Sequence, residues 1–209
     1  MSEVFDDFAR RNLYLCTGLR DDMATFLPSV LRGGVDIVQL REKISPPHEQ
    51  VDAAREMQAI CRDFGVPFII NDSPELAFDL GADGVHVGQD DVSVARCRQL
   101  LGPHAVVGLS THSDPEFDLA MTMAATYLSA GPIEATPTKP GRAGTGEAFA
   151  LGAAARSPQP VFVTGGVTPQ RIEELRPRGL SHFVVVRYLT EAADPFAAAS
   201  ALRAALHDD

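Results

Sequence analysis

At 209 residues, 45% hydrophobic and 22% charged, the chain has ordinary globular composition and length enough to bury a core in one domain or two small ones. Eighteen Lys and Arg against 28 Asp and Glu give a net charge of −10, which argues against nucleic acid and anionic membranes as partners but permits a local basic pocket. Cys16, Cys61 and Cys97 are odd in number and widely spaced, so they read as small buried apolar residues rather than a disulfide framework or zinc site.

The acidic N-terminus MSEVFDDFARRN lacks the apolar stretch of a signal peptide, and no run approaches the length of a membrane span. A cytoplasmic location is the default expectation. Short β-branched runs then alternate with helix-like stretches. In chain order the expected strands are 13–17, 36–41, 67–71, 84–87, 106–110, 127–131, 161–165 and 183–187. Val51, Ala54, Met57, Cys61 and Phe64 recur at helical spacing, as do Phe196, Ala199, Leu202 and Leu206 near the end. Five helix starts are expected at Ser45-Pro46, Ser73-Pro74, Asp114-Pro115, Thr168-Pro169 and Asp194-Pro195. There a capping oxygen accepts a free backbone N–H, and proline loses no donor that the helix needs.

Eight β/α units favour a closed (β/α)8 TIM barrel over an open doubly wound sheet. The expected fold class is therefore α/β, with one barrel domain over 1–209 and a short N-terminal extension of about 1–12. One segment breaks the compact rhythm. Residues 131–146, rich in Gly, Pro and Thr, read as a lid or phosphate clamp.

In such a barrel the carboxyl ends of all strands open onto one face, so residues distant in sequence meet there. Gln39, Arg41 and Lys43 alternate at the end of IVQLREK and fall on one side of an extended segment, with Glu42 on the other. An inward row of amide, guanidinium and ammonium groups suits an anionic ligand; ordinary surface ion pairing is the plainer alternative. Asn71-Asp72 and Asp90-Asp91 each follow a strand. Asp72 and Asp91 read either as helix caps or, together and beside the cations, as ligands for Mg2+ on a diphosphate. Lys139 is expected in the same pocket.

Gly165-Gly166 marks a βα turn where backbone N–H groups can approach a phosphate, and Val186-Arg187 is a second such place after the last strand. His86 reads as a hydrogen-bonded core residue, His104 and His207 as surface residues, and His112 as lying past a strand without a clear partner. Neither a Ser-His-Asp order, a Walker loop nor a dinucleotide fingerprint is present, so nucleophilic hydrolysis and nicotinamide chemistry have little support.

QLREK, IND, HVGQDD, GLSTHS, TPTKPG and TGGV occur in this order from about residue 13 to 190, and with them the chain resembles the thiamine phosphate synthase family. The resemblance implies a (β/α)8 transferase that joins hydroxymethylpyrimidine diphosphate to hydroxyethylthiazole phosphate, or its carboxylated form, releasing diphosphate. It further implies that Gln39, Arg41, Lys43 and Asn71 hold the pyrimidine diphosphate, with Ser110 and Lys139 completing that site. Asp72 and Asp91 would bind Mg2+. Thr136, Thr138 and Gly166, with the Val186-Arg187 backbone, would hold the thiazole phosphate. Arg41, Lys43 and Lys139 would stabilise the leaving diphosphate, and Ser110 is counted with them as catalytic. The family usually carries serine where Arg187 stands. The implied partners are small molecules, and homo-oligomerisation is left open. The competing expectations are a thiazole tautomerase, another sugar-phosphate barrel, or a non-catalytic ligand-binding relative.

Overall fold

The structure, a computed structural model, describes residues 8–136 and 143–207. Eight parallel strands close into one barrel in sequence order: β1 Leu13–Thr17, β2 Ile37–Leu40, β3 Phe68–Asn71, β4 Gly84–Val87, β5 Val106–Thr111, β6 Tyr127–Ala130, β7 Val161–Val163 and β8 His182–Val185. Each β-branched or aromatic run becomes a strand because it fits a pleated surface packed on both sides. Two ends fall short of expectation by two residues. β7 stops at Val163 because Gly165 and Gly166, at φ of 95° and 69°, carry the chain out of the extended region. β8 stops at Val185, and Arg187 opens a four-residue helix, Arg187–Thr190.

Helix starts follow the capping signals with two shifts. Ser73 and Thr168 accept from the N–H of Leu76 and Arg171, and Asp194 accepts from Ala197 N–H at 2.9 Å. Ser113 rather than Asp114 caps the helix Asp114–Ala120, because Glu116 reaches back to the His112 N–H at 2.8 Å in the manner of a capping box. Pro46 replaces Ser45 before the helix Pro47–Asp63, since Pro47 forces its predecessor into an extended conformation (φ −55°, ψ 148°). On that helix Ala54, Met57 and Cys61 face the core. Phe64 lies just past its end and is 40% exposed; Phe196, in the first turn of the helix Pro195–His207, is 48% exposed.

One apolar layer lies between strands and helices; a second, of Phe8, Tyr14, Ile37, Ile69, Val106, Tyr127 and Phe162, packs separately. Side chains two apart on a strand share a face, so the second layer leads upward into polar residues. Ile37 gives way to Gln39, Ile69 to Asn71, Val106 to Ser110, Tyr127 to Ser129 and Phe162 to Thr164. Gly108 makes room for one large member: a Cβ there would approach the Tyr127 ring to 2.1 Å. Phe8, 2% exposed, stacks on Tyr127 with ring centroids 5.0 Å apart, so the expected extension supplies a core side chain.

Candidate active site

The polar ends of the strands surround a cavity of about 800 Å³. Into its lining come Gln39 on β2 with Arg41 and Lys43 just past it, Asn71 on β3 with Asp72 just past it, Asp90 and Asp91 after β4, and Ser110 on β5. Thr136, Gly166, Val186 and Arg187 complete the expected set. Thr138 and Lys139 lie outside the described residues, as does the middle of the 131–146 segment.

Beyond β2 the chain turns on Glu42, whose carboxylate accepts from the backbone N–H groups of Leu19, Lys43, Ile44 and Ser45. Burial opposes its charge, but the backbone donors outweigh that and hold the carboxyl below its ordinary pKa. Glu42 thus faces away from the cavity, as its alternation with Arg41 and Lys43 requires. The Lys43 ammonium meets the Asp72 carboxylate at 2.7 Å. With side chains 51% and 29% exposed, this pair is a positioned charge cluster rather than a source of stability.

The capping alternative for the two aspartates is answered locally. Ser73 caps Pro74–Leu80 and Ser93 caps Val94–Leu101, which leaves neither Asp72 nor Asp91 with that task. Asp72 is the non-glycine residue with positive φ, 64°, among those described, and its N–H donates to the His86 carbonyl at 2.8 Å. Such a conformation costs free energy and recurs at functional positions. The Asp91 carboxylate accepts from Gly88 N–H at 2.7 Å, which fixes it at the mouth of β4.

These hard oxygen donors suit magnesium. Among the described residues no group of three or more His, Cys, Asp or Glu is arranged to hold a metal by itself. Magnesium binding through one or two carboxylates with substrate phosphate oxygens and water needs no such group, so Asp72 and Asp91 fit that mode.

On the opposite wall, Gly165 and Gly166 bend the chain under the segment that follows β6. A Cβ on Gly165 would meet Pro132 at 2.7 Å, and one on Gly166 would meet the Glu134 carboxylate at 2.7 Å. Glu134 in turn pairs with Arg171 at 2.8 Å, and Arg171 also meets Glu147 at 2.7 Å. This ties the described start of the 131–146 segment, and the helix residue just past its end, to the helix Pro169–Leu175. Arg187 stands exposed at the rim as the first residue of its short helix.

The floor of the cavity was not evident from the sequence. His86 is a hydrogen-bonded buried residue as expected, but its partners are Tyr127 and Ser110, each 2.8 Å from one ring nitrogen. Tyr14, Tyr127 and Ser129 also line the cavity. Cys16 is buried, but it lines the cavity too, with its thiol donating to Gln39 Oε1 at 3.3 Å. Gln89 binds the Ser110 carbonyl at 2.6 Å. His112 has partners after all: its Nδ1 lies 2.5 Å from the Gly131 carbonyl. The available signal was strand alternation, since Tyr14, Cys16, His86, Tyr127 and Ser129 all occupy the face that carries Gln39 and Ser110.

A family profile described as thiamine monophosphate synthase matches residues 13–189. A thiamine-phosphate synthase of Thermosynechococcus vestitus is 40% identical over 183 residues, 88% of this chain and 52% of that protein. One from Mycolicibacterium smegmatis is 39% identical over 94% of this chain and 92% of its own length. The chain thus spans about half of the first relative and nearly all of the second. A solved thiamine phosphate pyrophosphorylase from Pyrococcus furiosus superposes with a TM-score of 0.85 at 23% identity, covering 95% of this chain and 96% of the other. At that identity the likeness shows the fold.

Proposed function

Because the chain belongs to the thiamine monophosphate synthase family, we propose that it joins hydroxymethylpyrimidine diphosphate to hydroxyethylthiazole phosphate, or to its carboxylated form, giving thiamine phosphate and diphosphate. The observation that carries this reading is one cavity whose lining brings the cations past β2, Arg41 and Lys43, together with Asp72 and Asp91, strand-end carboxylates that cap no helix.

In this reading the bond between the pyrimidine methylene carbon and the diphosphate oxygen breaks first, and diphosphate leaves with the electron pair. The thiazole nitrogen then attacks the pyrimidine-stabilised cation and forms the new C–N bond. No protein nucleophile is needed. Magnesium, when bound, supplies positive charge to the diphosphate oxygens and orients them. Asp72 and Asp91 would hold it. Arg41 offers a planar fork of donors to the same oxygens and Lys43 a mobile point charge. Lys139 is assigned to the leaving diphosphate by the family pattern alone. Gln39 and Asn71 would orient the pyrimidine, with Ser110 above the buried floor. Thr136, Thr138, Gly166 and the Val186-Arg187 backbone would seat the thiazole phosphate and align the nitrogen for attack.

Titration calorimetry tests the diphosphate site directly. Hydroxymethylpyrimidine diphosphate should bind in the presence of Mg2+, and Arg41→Ala should weaken that binding by about tenfold or more, the worth of a charge-assisted contact. Binding that ignored both the metal and Arg41 would move the diphosphate site elsewhere.

A further inference from the structure

Beneath the charged rim, seven side chains on five strands form an unbroken hydrogen-bonded chain across the barrel. Cys16 Sγ donates to Gln39 Oε1 at 3.3 Å, and Gln39 Nε2 donates to the Tyr14 hydroxyl at 2.7 Å. The Tyr14 and Tyr127 hydroxyls are 2.9 Å apart, and Tyr127 lies 2.8 Å from His86 Nδ1. His86 Nε2 lies 2.8 Å from Ser110 Oγ, to which Ser129 Oγ also donates at 3.4 Å. All seven residues are 9% exposed or less, so each unmade bond would leave a polar group buried without a partner.

A hydroxyl has one hydrogen, and that fixes the sense of the chain. Tyr14 accepts from Gln39, so its hydrogen goes to Tyr127. Tyr127 therefore gives its own hydrogen to His86 Nδ1. An imidazole that accepts at Nδ1 and is neutral carries its proton on Nε2, and this proton goes to Ser110 Oγ. Ser110 accepts from His86 and Ser129, and its single hydrogen remains to point into the cavity. Turning the Gln39 amide over would reverse every link. Ser110 would then donate to His86 and show the cavity only lone pairs.

We infer that Tyr14, Tyr127 and His86 are positioning residues: a one-way relay, set by the Gln39 amide, makes the Ser110 hydroxyl a hydrogen-bond donor to the cavity. A diphosphate carries only acceptors, so a donor is what that ligand requires. Burial pushes both tyrosine hydroxyls above their ordinary pKa, which keeps them protonated and the relay intact. Ser110's action on a diphosphate rests on the function proposed above; the sense of the relay does not.

The test is the His86 tautomer, read from ring 15N shifts in histidine-labelled protein without substrate. The wild type should show the proton on Nε2. In Gln39→Glu, where the carboxylate can only accept, the proton should move to Nδ1, with two phenols intervening. Tyr127→Phe keeps the ring but removes the link. It should give a mixture of tautomers and lower kcat by about tenfold, the worth of one hydrogen bond, with a smaller change in KM for the pyrimidine diphosphate. A wild-type proton on Nδ1, or a Gln39→Glu protein with an unchanged tautomer, would overturn the relay even if the enzyme is fully active. If instead the tautomers behave as stated but no thiamine phosphate forms, the relay stands and the proposed reaction fails.

Discussion

Asp72 combines a positive φ, a 2.7 Å contact with Lys43 and a place in the cavity wall. Aspartate and asparagine both tolerate the left-handed conformation, whereas alanine there costs about 1–2 kcal/mol. Asp72→Asn therefore separates chemistry from folding. It should leave the unfolding midpoint near the wild-type value while lowering Mg2+-dependent turnover by about 100-fold or more, as loss of a transition-state electrostatic contact does. Turnover retained in Asp72→Asn would remove this carboxylate from the proposed metal site. At the rim, Arg187→Ser should keep the reaction type and raise KM for the thiazole phosphate by about tenfold at most, because an exposed charged contact contributes little. Complete inactivity would show that the guanidinium is indispensable. The cavity lining was legible for most of the charged and amide side chains that follow a strand, though not for Gln89 after β4. It was not legible for Cys16, which pattern alone reads as apolar and whose pairing with Gln39 appears only when β1 and β2 are placed side by side.

The turn from β2 into the helix Pro47–Asp63 presents Arg41 and Lys43, and Glu42 holds that turn through backbone N–H groups. Its folded pKa is depressed, so its stabilisation is present above the unfolded pKa, about 4.3, and is lost as pH falls through the folded value. Glu42→Gln should accordingly lower stability at neutral pH and flatten the loss of stability on acidification below about pH 4.3. Denaturant titrations at several pH values would check this; an acid limb identical to the wild type's would deny the turn its anchor. Strand and helix positions were legible from β-branched runs and capping residues. Ends were less so, for local reasons. FVVVRYL carries apolar character past Val185, so nothing in composition marks where β8 yields to a short helix. At Pro46-Pro47 two prolines compete, and the second decides the cap.

Across the whole molecule the inner layer grades from apolar at one end to polar at the other, and this gradient positions the cavity. Phe8 belongs to the apolar end, in contact with Tyr127 and Phe162. Phe8→Ala should destabilise the protein by about 3–5 kcal/mol, the usual cost of emptying a buried aromatic site. A calorimetric midpoint close to the wild type would show that Phe8 merely covers the barrel. The closed barrel was legible because eight strand–helix alternations admit few other arrangements. The floor was not, since Tyr14 and Tyr127 meet across 113 residues of sequence and only barrel closure brings their hydroxyls to 2.9 Å. In the proposed reaction one cavity, cationic and carboxylate-lined, transfers a pyrimidine from diphosphate to a thiazole nitrogen. Its most direct test is to supply purified protein with hydroxymethylpyrimidine diphosphate and hydroxyethylthiazole phosphate, with Mg2+ or with a chelator, and to measure both products. Thiamine phosphate and diphosphate should form in equal amounts, and only when Mg2+ is present. The absence of thiamine phosphate would refute that reaction, and formation undiminished by the chelator would refute its dependence on Mg2+.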